Sequence, residues 1–242
     1  MWLARFVEAV EELAADGDRP LDLVRLPDGR TTLVFRAFAG GGGDLTIVGP
    51  RTRAVFKTAH GVARIVVVRF KPGWSTLLGV RASELTERYV PLDELWGRAA
   101  DDLCGDLLAA PDTPTALALI SDAFARRSGA AEPASASLAR RGARLLEGDH
   151  ARVDHVAQRL GVTARHLRRA FADSIGLAPK DFARVVRLQR AVRRAHASRD
   201  WGRIASDAGY YDQAHLIGDF RDLVGITPVE LANRLAAHPH PA

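Results

Sequence analysis

The feature that most constrains this chain is a repeat within its second half. Ala157, Gly161, Leu167, Phe171, Gly176 and Pro179 are matched by Ala205, Gly209, Leu216, Phe220, Gly225 and Pro228. The offset is 48 residues at the alanines and 49 from the leucines onward, so the second copy carries one extra residue in its turn. Each matched position has a physical reason. Two short helices that cross steeply need a small residue where they approach, and the alanines supply it. The turn between them needs a left-handed backbone, which glycine adopts without a Cβ penalty. The second helix needs an apolar stripe, given by Leu167/Phe171 and Leu216/Phe220 at i, i+4. The later glycines end those helices and the prolines start the next. Two unrelated helical hairpins would explain the helices but not six matched positions. The pattern predicts two helix-turn-helix units in tandem.

The predicted outward faces suit nucleic acid. Around Leu167 stand Thr163, Arg165, His166, Arg168 and Arg169, and ahead of Leu216 stand Tyr211, Asp212, Gln213 and His215. Such faces combine an apolar inner side with donors able to meet base edges. Between the units, residues 179–197 read as one long helix with Phe182, Val185, Val186, Leu188 and Val192 inward. Its Arg184, Arg187, Arg190, Arg193 and Arg194 are expected on a solvated face or against phosphates. Two recognition helices entering one face of B-DNA should stand roughly 34 Å apart.

Charge is divided in the same way. Residues 1–133 hold 16 of the 34 Lys+Arg and 18 of the 29 Asp+Glu, and residues 134–242 hold the other 18 and 11, giving −2 and +7. A basic half implies a polyanionic partner. Only Lys57, Lys71 and Lys180 are lysines, and arginine forks suit guanine edges and phosphates, although GC-rich coding would produce the same bias. Cys104 is the single cysteine, so an intrachain disulfide and a cysteine-cluster metal site are excluded. The start of the chain lacks a signal-peptide pattern, and no apolar run nears the roughly 20 residues of a membrane span. A cytoplasmic protein that does not enter the membrane is expected.

The first half reads as β-rich. Residues 2–15 have amphipathic helical spacing; 21–26, 31–38, 45–48, 54–58 and 62–70 read as strands between turn signals such as Pro27-Asp28-Gly29 and Lys71-Pro72-Gly73. These strands suggest a small antiparallel sheet or partial barrel. Gly40–Gly43 reads as a hairpin tip. Helices follow near Ser83, over 91–108, and over 113–127 with Thr113-Pro114 as cap and first residue. Residues 128–136 read as a linker. The fold class expected is α+β in two domains: residues 1–130 a β-rich, partial-barrel or cupin-like effector-binding or dimerisation domain, and residues 131–242 an all-α domain.

Val156-Ala157-Gln158-Arg159-Leu160-Gly161-Val162 through Phe171, Ile204-Ala205-Ser206-Asp207-Ala208-Gly209-Tyr210-Tyr211-Asp212-Gln213-Ala214-His215-Leu216, and the close Phe220-Arg221 … Gly225-Ile226-Thr227-Pro228 closely resemble the AraC/XylS family of bacterial transcription regulators. The resemblance spans about residues 138–236. It implies a seven-helix domain that places two recognition helices in successive major grooves, contacting DNA through Thr163, Arg165, Arg168 and Arg169 and through Gln213, Ala214, His215, Ile217 and Gly218. Relatives often carry arginine where Gly218 stands, and glycine costs a helix roughly 1 kcal/mol relative to alanine. The first unit is therefore expected to supply more affinity. Leu26-Pro27-Asp28-Gly29, Val48-Gly49-Pro50, Phe70-Lys71-Pro72-Gly73, Ala82-Ser83-Glu84-Leu85, Val90-Pro91-Leu92 and Leu95-Trp96-Gly97 resemble an uncharacterised domain often found ahead of this module.

Other classes fit poorly. Repair methyltransferases sharing this DNA-binding fold need a cysteine-rich zinc site, and Cys104 is expected to pack in a core. A metal-dependent cupin-type enzyme needs several histidines, whereas residues 1–133 hold only His60, read as a surface or turn residue. Neither a nucleophile triad nor a phosphate loop is present, so no enzyme, metal or cofactor is expected. The rival is an architectural protein bound mainly to phosphates, with little sequence discrimination. The expected partner is double-stranded promoter or operator DNA. RNA polymerase, a small-molecule effector and a second copy of the chain through residues 92–127 remain open. Phe35, Phe56, Phe70 and Trp74 are candidates to line an effector cavity, with core packing as their alternative role.

Overall fold

The computed structural model describes residues 5–15, 17, 19–127, 133–148, 151–195 and 197–237. Seven strands form two sheets: β1 (Val7–Ala14), β2 (Leu21–Arg25), β3 (Thr32–Phe38), β4 (Gly43–Val48), β5 (Val55–Ala59), β6 (Val62–Phe70) and β7 (Tyr89–Pro91). Five are ordered β1-β6-β3-β4-β7, all antiparallel, and β2 pairs with β5 as a separate ribbon. The strands read from turn chemistry at 21–26, 31–38, 45–48, 54–58 and 62–70 are β2 to β6. Gly40–Gly43 turns the β3–β4 hairpin, with the Phe38 amide donating to the Gly42 carbonyl (3.0 Å).

Residues 7–14 correct the helix expected over 2–15; residues 2–4 lie outside the described part. Val7, Ala9, Glu11 and Leu13 also satisfy a period of two, and β6 offers a long open edge. Along that edge Arg64 meets Glu12 (2.7 Å) and Arg69 meets Glu11 (3.3 Å). Backbone pairing and these cross-strand ion pairs favour the strand over an amphipathic helix that would lack a surface to cover.

One face of the large sheet is the core. Leu33, Phe35, Ile47, Val66, Val68, Phe70 and Val90 pack on the helices that follow: α1 (Ala82–Leu85), α2 (Leu92–Trp96), α3 (Arg98–Ala109) and α4 (Thr113–Arg127). Phe124 sits between Phe70 and Trp96, with ring centroids 5.2 and 4.7 Å away. Residues 91–108, expected as one helix, divide into α2 and α3 at Gly97, whose φ of 57° no helix accepts. Helix α4 is capped by Asp112, which accepts from the Thr115 amide (2.8 Å), and not by Thr113, whose hydroxyl turns to Glu12. Cys104 packs half-buried against this core, and His60 is exposed in the β5–β6 turn.

The rest is helical: α5 (Ala134–Leu146), α6 (Val153–Arg159), α7 (Ala164–Ser174), α8 (Pro179–Ala195), α9 (Trp201–Ala208), α10 (Gln213–Val224) and α11 (Pro228–Ala237). The expected linker 128–136 is only partly described: residues 128–132 lie outside, and Ala134–Ala136 already belong to α5. Two apolar clusters divide the helices. Ala139, Ala157, Leu167, Phe171 and Phe182 centre one; Leu188, Ala205, Leu216, Phe220 and Leu231 centre the other. Helix α8 contributes to both, so it fixes the two units relative to each other.

Candidate nucleic-acid interface

The two units are built by the same local rules. After α6, the Gly161 amide donates to the Gln158 carbonyl (3.0 Å) and the Val162 amide to Ala157 (3.1 Å); after α9, Gly209 donates to Ser206 (3.1 Å) and Tyr210 to Ala205 (2.9 Å). Gly161 and Gly209 have φ of 68° and 88°, the left-handed conformation the repeat requires. Ala157 and Ala205 are buried, as the close crossing demands. The next helix starts in the same way in each. Thr163 accepts from the amide of His166 (3.2 Å), and Asp212 accepts from that of His215 (2.7 Å). These caps satisfy amides at the helix start and fix its direction. The matching glycines 176 and 225 close α7 and α10 by accepting no further turn: their amides return to Phe171 (2.9 Å) and Phe220 (3.1 Å).

This scaffold decides what each helix shows. In α7, Leu167, Ala170 and Phe171 are buried, while Thr163, Arg165, His166, Arg168 and Arg169 are exposed together. In the second unit, Tyr211 is 93% exposed and Asp212, Gln213, Ala214, His215 and Gly218 are also exposed, with Ile217 half-buried. The ring of His215 rests edge-on against Tyr210 at 5.2 Å, which restricts its orientation. Arg221 was not among the residues picked from sequence. It is exposed and shares the i, i+4 row of Gln213 and Ile217, so helical spacing would have found it.

Three of the five arginines of α8 correct an expectation, whereas Arg193 and Arg194 are exposed as expected. Arg184 donates to Asp219 and to Asp222 (2.6 Å each), Arg187 lies 3.6 Å from Asp219, and Arg190 donates to the carbonyls of Glu147 and Gly148 (2.8 Å to the latter). They tie α8 to α10 and to the end of α5. Asp219 is 4% exposed, and the Arg187 guanidinium lies over the Tyr210 ring at 5.4 Å. Burial, reinforced by the charge of Asp219, pushes the Tyr210 phenol far above its ordinary value.

The β-rich part holds a second candidate site. A cavity of about 350 Å³ lies between the ribbon and the face of the large sheet opposite the core. Leu13, Val34, Val48, Ile65 and Val67 form its apolar floor, and Glu11, Arg25, Arg36, Lys57 and Arg69 its polar edge. None of the four aromatics proposed from sequence lines it. Phe35 and Phe70 are core, Phe56 lies on the outer side of the ribbon, and Trp74 packs on Phe6 at 4.5 Å with Arg140 over its ring at 3.8 Å. Strand alternation explains the error, because Phe35 and Val34 must face opposite ways. Among the described residues no group of three His, Cys, Asp or Glu could hold a metal ion, and no helix is long and apolar enough to cross a membrane.

The chain matches two family models: a helix-turn-helix domain over residues 156–234 and the domain of unknown function DUF6597 over residues 2–91. The first covers both units. The C-terminal part of the chain therefore carries an AraC-type helix-turn-helix domain, and DUF6597 precedes it. This AraC-type chain is similar in fold to ToxT from Vibrio cholerae O395, at 8% identity over 94% of this chain and 97% of that one, with a TM-score of 0.50. ToxT from the same strain bound to (E)-4-(8-methylnaphthalen-1-yl)but-3-enoic acid superposes with a TM-score of 0.52 at 8% identity, covering 94% and 98%. A DNA-binding transcriptional dual regulator from Escherichia coli K-12 is 22% identical over 46% of this chain and 99% of its own, with a TM-score of 0.37. No curated protein matches the chain by sequence. The protein is thus a DNA-binding transcription regulator with a β-rich N-terminal part and a C-terminal tandem helix-turn-helix.

Proposed function

We propose that this cytoplasmic AraC-type regulator reads operator DNA with α7 and α10, and is not an enzyme. Arg165, Arg168 and Arg169 contact bases and phosphates in one major groove, and Gln213, His215, Tyr211 and Arg221 in the next. Thr163 and His166 lie at the start of α7, where amides and side chains can meet phosphates, and Asp212, whose carboxylate caps the His215 amide, orients the start of α10. What carries the reading is the pairing of one scaffold with two different exposed faces. A protein held by phosphates alone has no use for two distinct sets of base-reading groups. The domains divide near residue 130, with residues 1–130 as the effector-binding part. The cavity beside the ribbon supports a small-molecule effector there. Exposed Leu108 on α3 (43%) supports a homodimer through residues 92–127, and RNA polymerase is the further partner of an activator.

The test is operator binding by single variants. Arg165→Ala should weaken specific binding roughly ten-fold or more, since a bidentate base contact discriminates by about 1–3 kcal/mol. Gln213→Ala should cost less, because the second face carries fewer cations and Gly218 contributes no side chain. Equal losses would overturn the asymmetry between the units.

A further inference from the structure

Among the described residues one residue other than glycine has a left-handed backbone: Glu87, with a φ of 60°. A long side chain keeps that conformation only where its surroundings hold it there, and such strained positions gather at the working parts of proteins. Glu87 lies in the turn between α1 and β7, and its amide donates to the Pro50 carbonyl (3.0 Å). Its carboxylate accepts from the amide and the hydroxyl of Thr52 (2.6 and 2.8 Å) and pairs with buried Arg51 (3.3 Å). The Arg51 guanidinium also donates to the Tyr89 hydroxyl (2.9 Å), and its backbone exchanges two hydrogen bonds with Asp28 (2.8 and 3.1 Å). Gly49 lies so close to the same turn that a Cβ there would collide with the Leu85 carbonyl oxygen. The turn over residues 85–89 and the loop over residues 49–54 are thus clasped together, with Glu87 as the pin.

The two ends of this clasp touch different helix-turn-helix units. At the first, the Thr86 hydroxyl donates to the carbonyl of Gly176 (2.8 Å), which closes α7. A Cβ at Gly176 would lie 2.7 Å from the Pro50 ring. At the second, the Ala54 amide donates to the Leu223 carbonyl in the last turn of α10 (2.7 Å). Pro50 to Ala54 is four Cα steps, at most about 14 Å. One short, pinned loop therefore runs from the end of α7 to the end of α10. Helix α8 already joins the two units through their apolar clusters. A joint made by one helix leaves bending and twisting about that helix as its softest motions, and a second strut opposes both.

We propose that the Glu87 clasp is a specificity element: it sets the spacing at which α7 and α10 meet DNA, with Glu87 as a positioning residue. The proposal rests on the DNA reading above and requires no occupant of the cavity. Adding one base pair between two half-sites moves one of them by about 3.4 Å and turns it by about 35°. Units tied twice resist such a change, whereas units tied only through α8 follow it in part.

The test compares the full chain with Glu87→Gly, which relieves the backbone and removes the carboxylate, and with Glu87→Gln, which keeps an acceptor for Thr52. A preferred site selected from random DNA supplies duplexes with native spacing, with one base pair added or removed between half-sites, and with one half-site alone. The wild-type chain should lose about ten-fold or more in affinity on altered spacing. Glu87→Gly should lose less than about three-fold while binding the single half-site as the wild type does, and Glu87→Gln should resemble the wild type. A second measurement needs no DNA. Spin labels on exposed positions of the two helices, Arg169→Cys and Arg221→Cys in a Cys104→Ser background, should give a broader distance distribution once Glu87→Gly is added. An unchanged spacing penalty, an unchanged distribution, or a loss on the single half-site equal to that on the full site would overturn the proposal. A wild-type chain with no preferred site would overturn the DNA reading instead, and the distance distribution would still decide whether the clasp holds α7 and α10 apart at a fixed separation.

Discussion

Asp219 shows how single residues join the two units. It is a buried carboxylate on α10, and Arg184 and Arg187 of α8 supply its countercharges. Burying a charge is tolerated only with such partners, and removing one side leaves the other exposed to the full desolvation cost. Asp219→Ala should therefore destabilise the folded chain by about 2 kcal/mol in denaturant unfolding, a figure discounted because both arginines remain about a third exposed. Tyr210 gives the pH dependence at this site. Its phenol is raised by burial, so the folded chain keeps a proton that the unfolded chain releases near pH 10. The stability from neutral Tyr210 is complete below about pH 10 and is lost as the pH climbs beyond it. Absorbance titration should show the Tyr210 phenol ionising only as the chain unfolds. Its ionisation in the still-folded chain would contradict this. The sequence held no sign of this group, because Arg184, Arg187, Tyr210 and Asp219 come from three separate segments.

At the scale of elements, the repeat was legible because its requirements are local. A left-handed turn, a small crossing residue and an apolar i, i+4 pair each leave a mark on the sequence, and Gly161 and Gly209 occupy the conformations expected of them. Five strands were legible because turn residues bound them. The first strand was not, since Val7, Val10 and Ala14 fit a helix and Val7, Ala9 and Leu13 fit a strand, and only the β6 edge decides between them. Gly97 was passed over for a similar reason: it interrupts a helical pattern that continues on both sides. Glycine also gives two opposite predictions. A Cβ at Gly218 would meet nothing within 4 Å and the position is helical, so Gly218→Ala should stabilise the chain by roughly 1 kcal/mol. A Cβ at Gly142 would lie 2.7 Å from the Phe171 ring, where α5 crosses α7. Gly142→Ala should destabilise by about 1–3 kcal/mol through overpacking. Thermal unfolding of both variants tests the pair, and a shift of the same sign in both would contradict it.

For the whole molecule, the contacts between its parts were the least legible, because they have no local signature. Pro27-Asp28-Gly29 reads as a turn, yet a Cβ at Gly29 would lie 2.4 Å from the Phe182 ring of α8. The glycine admits a helix from the DNA-binding part. Gln189 donates to the Pro27 carbonyl nearby (2.6 Å), and Arg30 reaches both Glu8 and Glu147 (3.4 Å to the latter). Val24, Leu26 and Ala54 complete the second unit's apolar cluster. Residues 134–242 alone should therefore lose exchange protection in α9–α11 more than in α6–α7. Uniform protection would show that the N-terminal part does not support the second unit.

The central claim is that two different faces on one repeated scaffold give sequence-specific DNA binding. Its most direct test is salt-dependent binding of the full chain to DNA upstream of its own gene, against a scrambled competitor. The account predicts a marked preference for one site that persists as salt weakens the phosphate contacts. Equal binding to both DNAs, falling steeply together with salt, would contradict it and leave a protein that grips phosphates without reading bases.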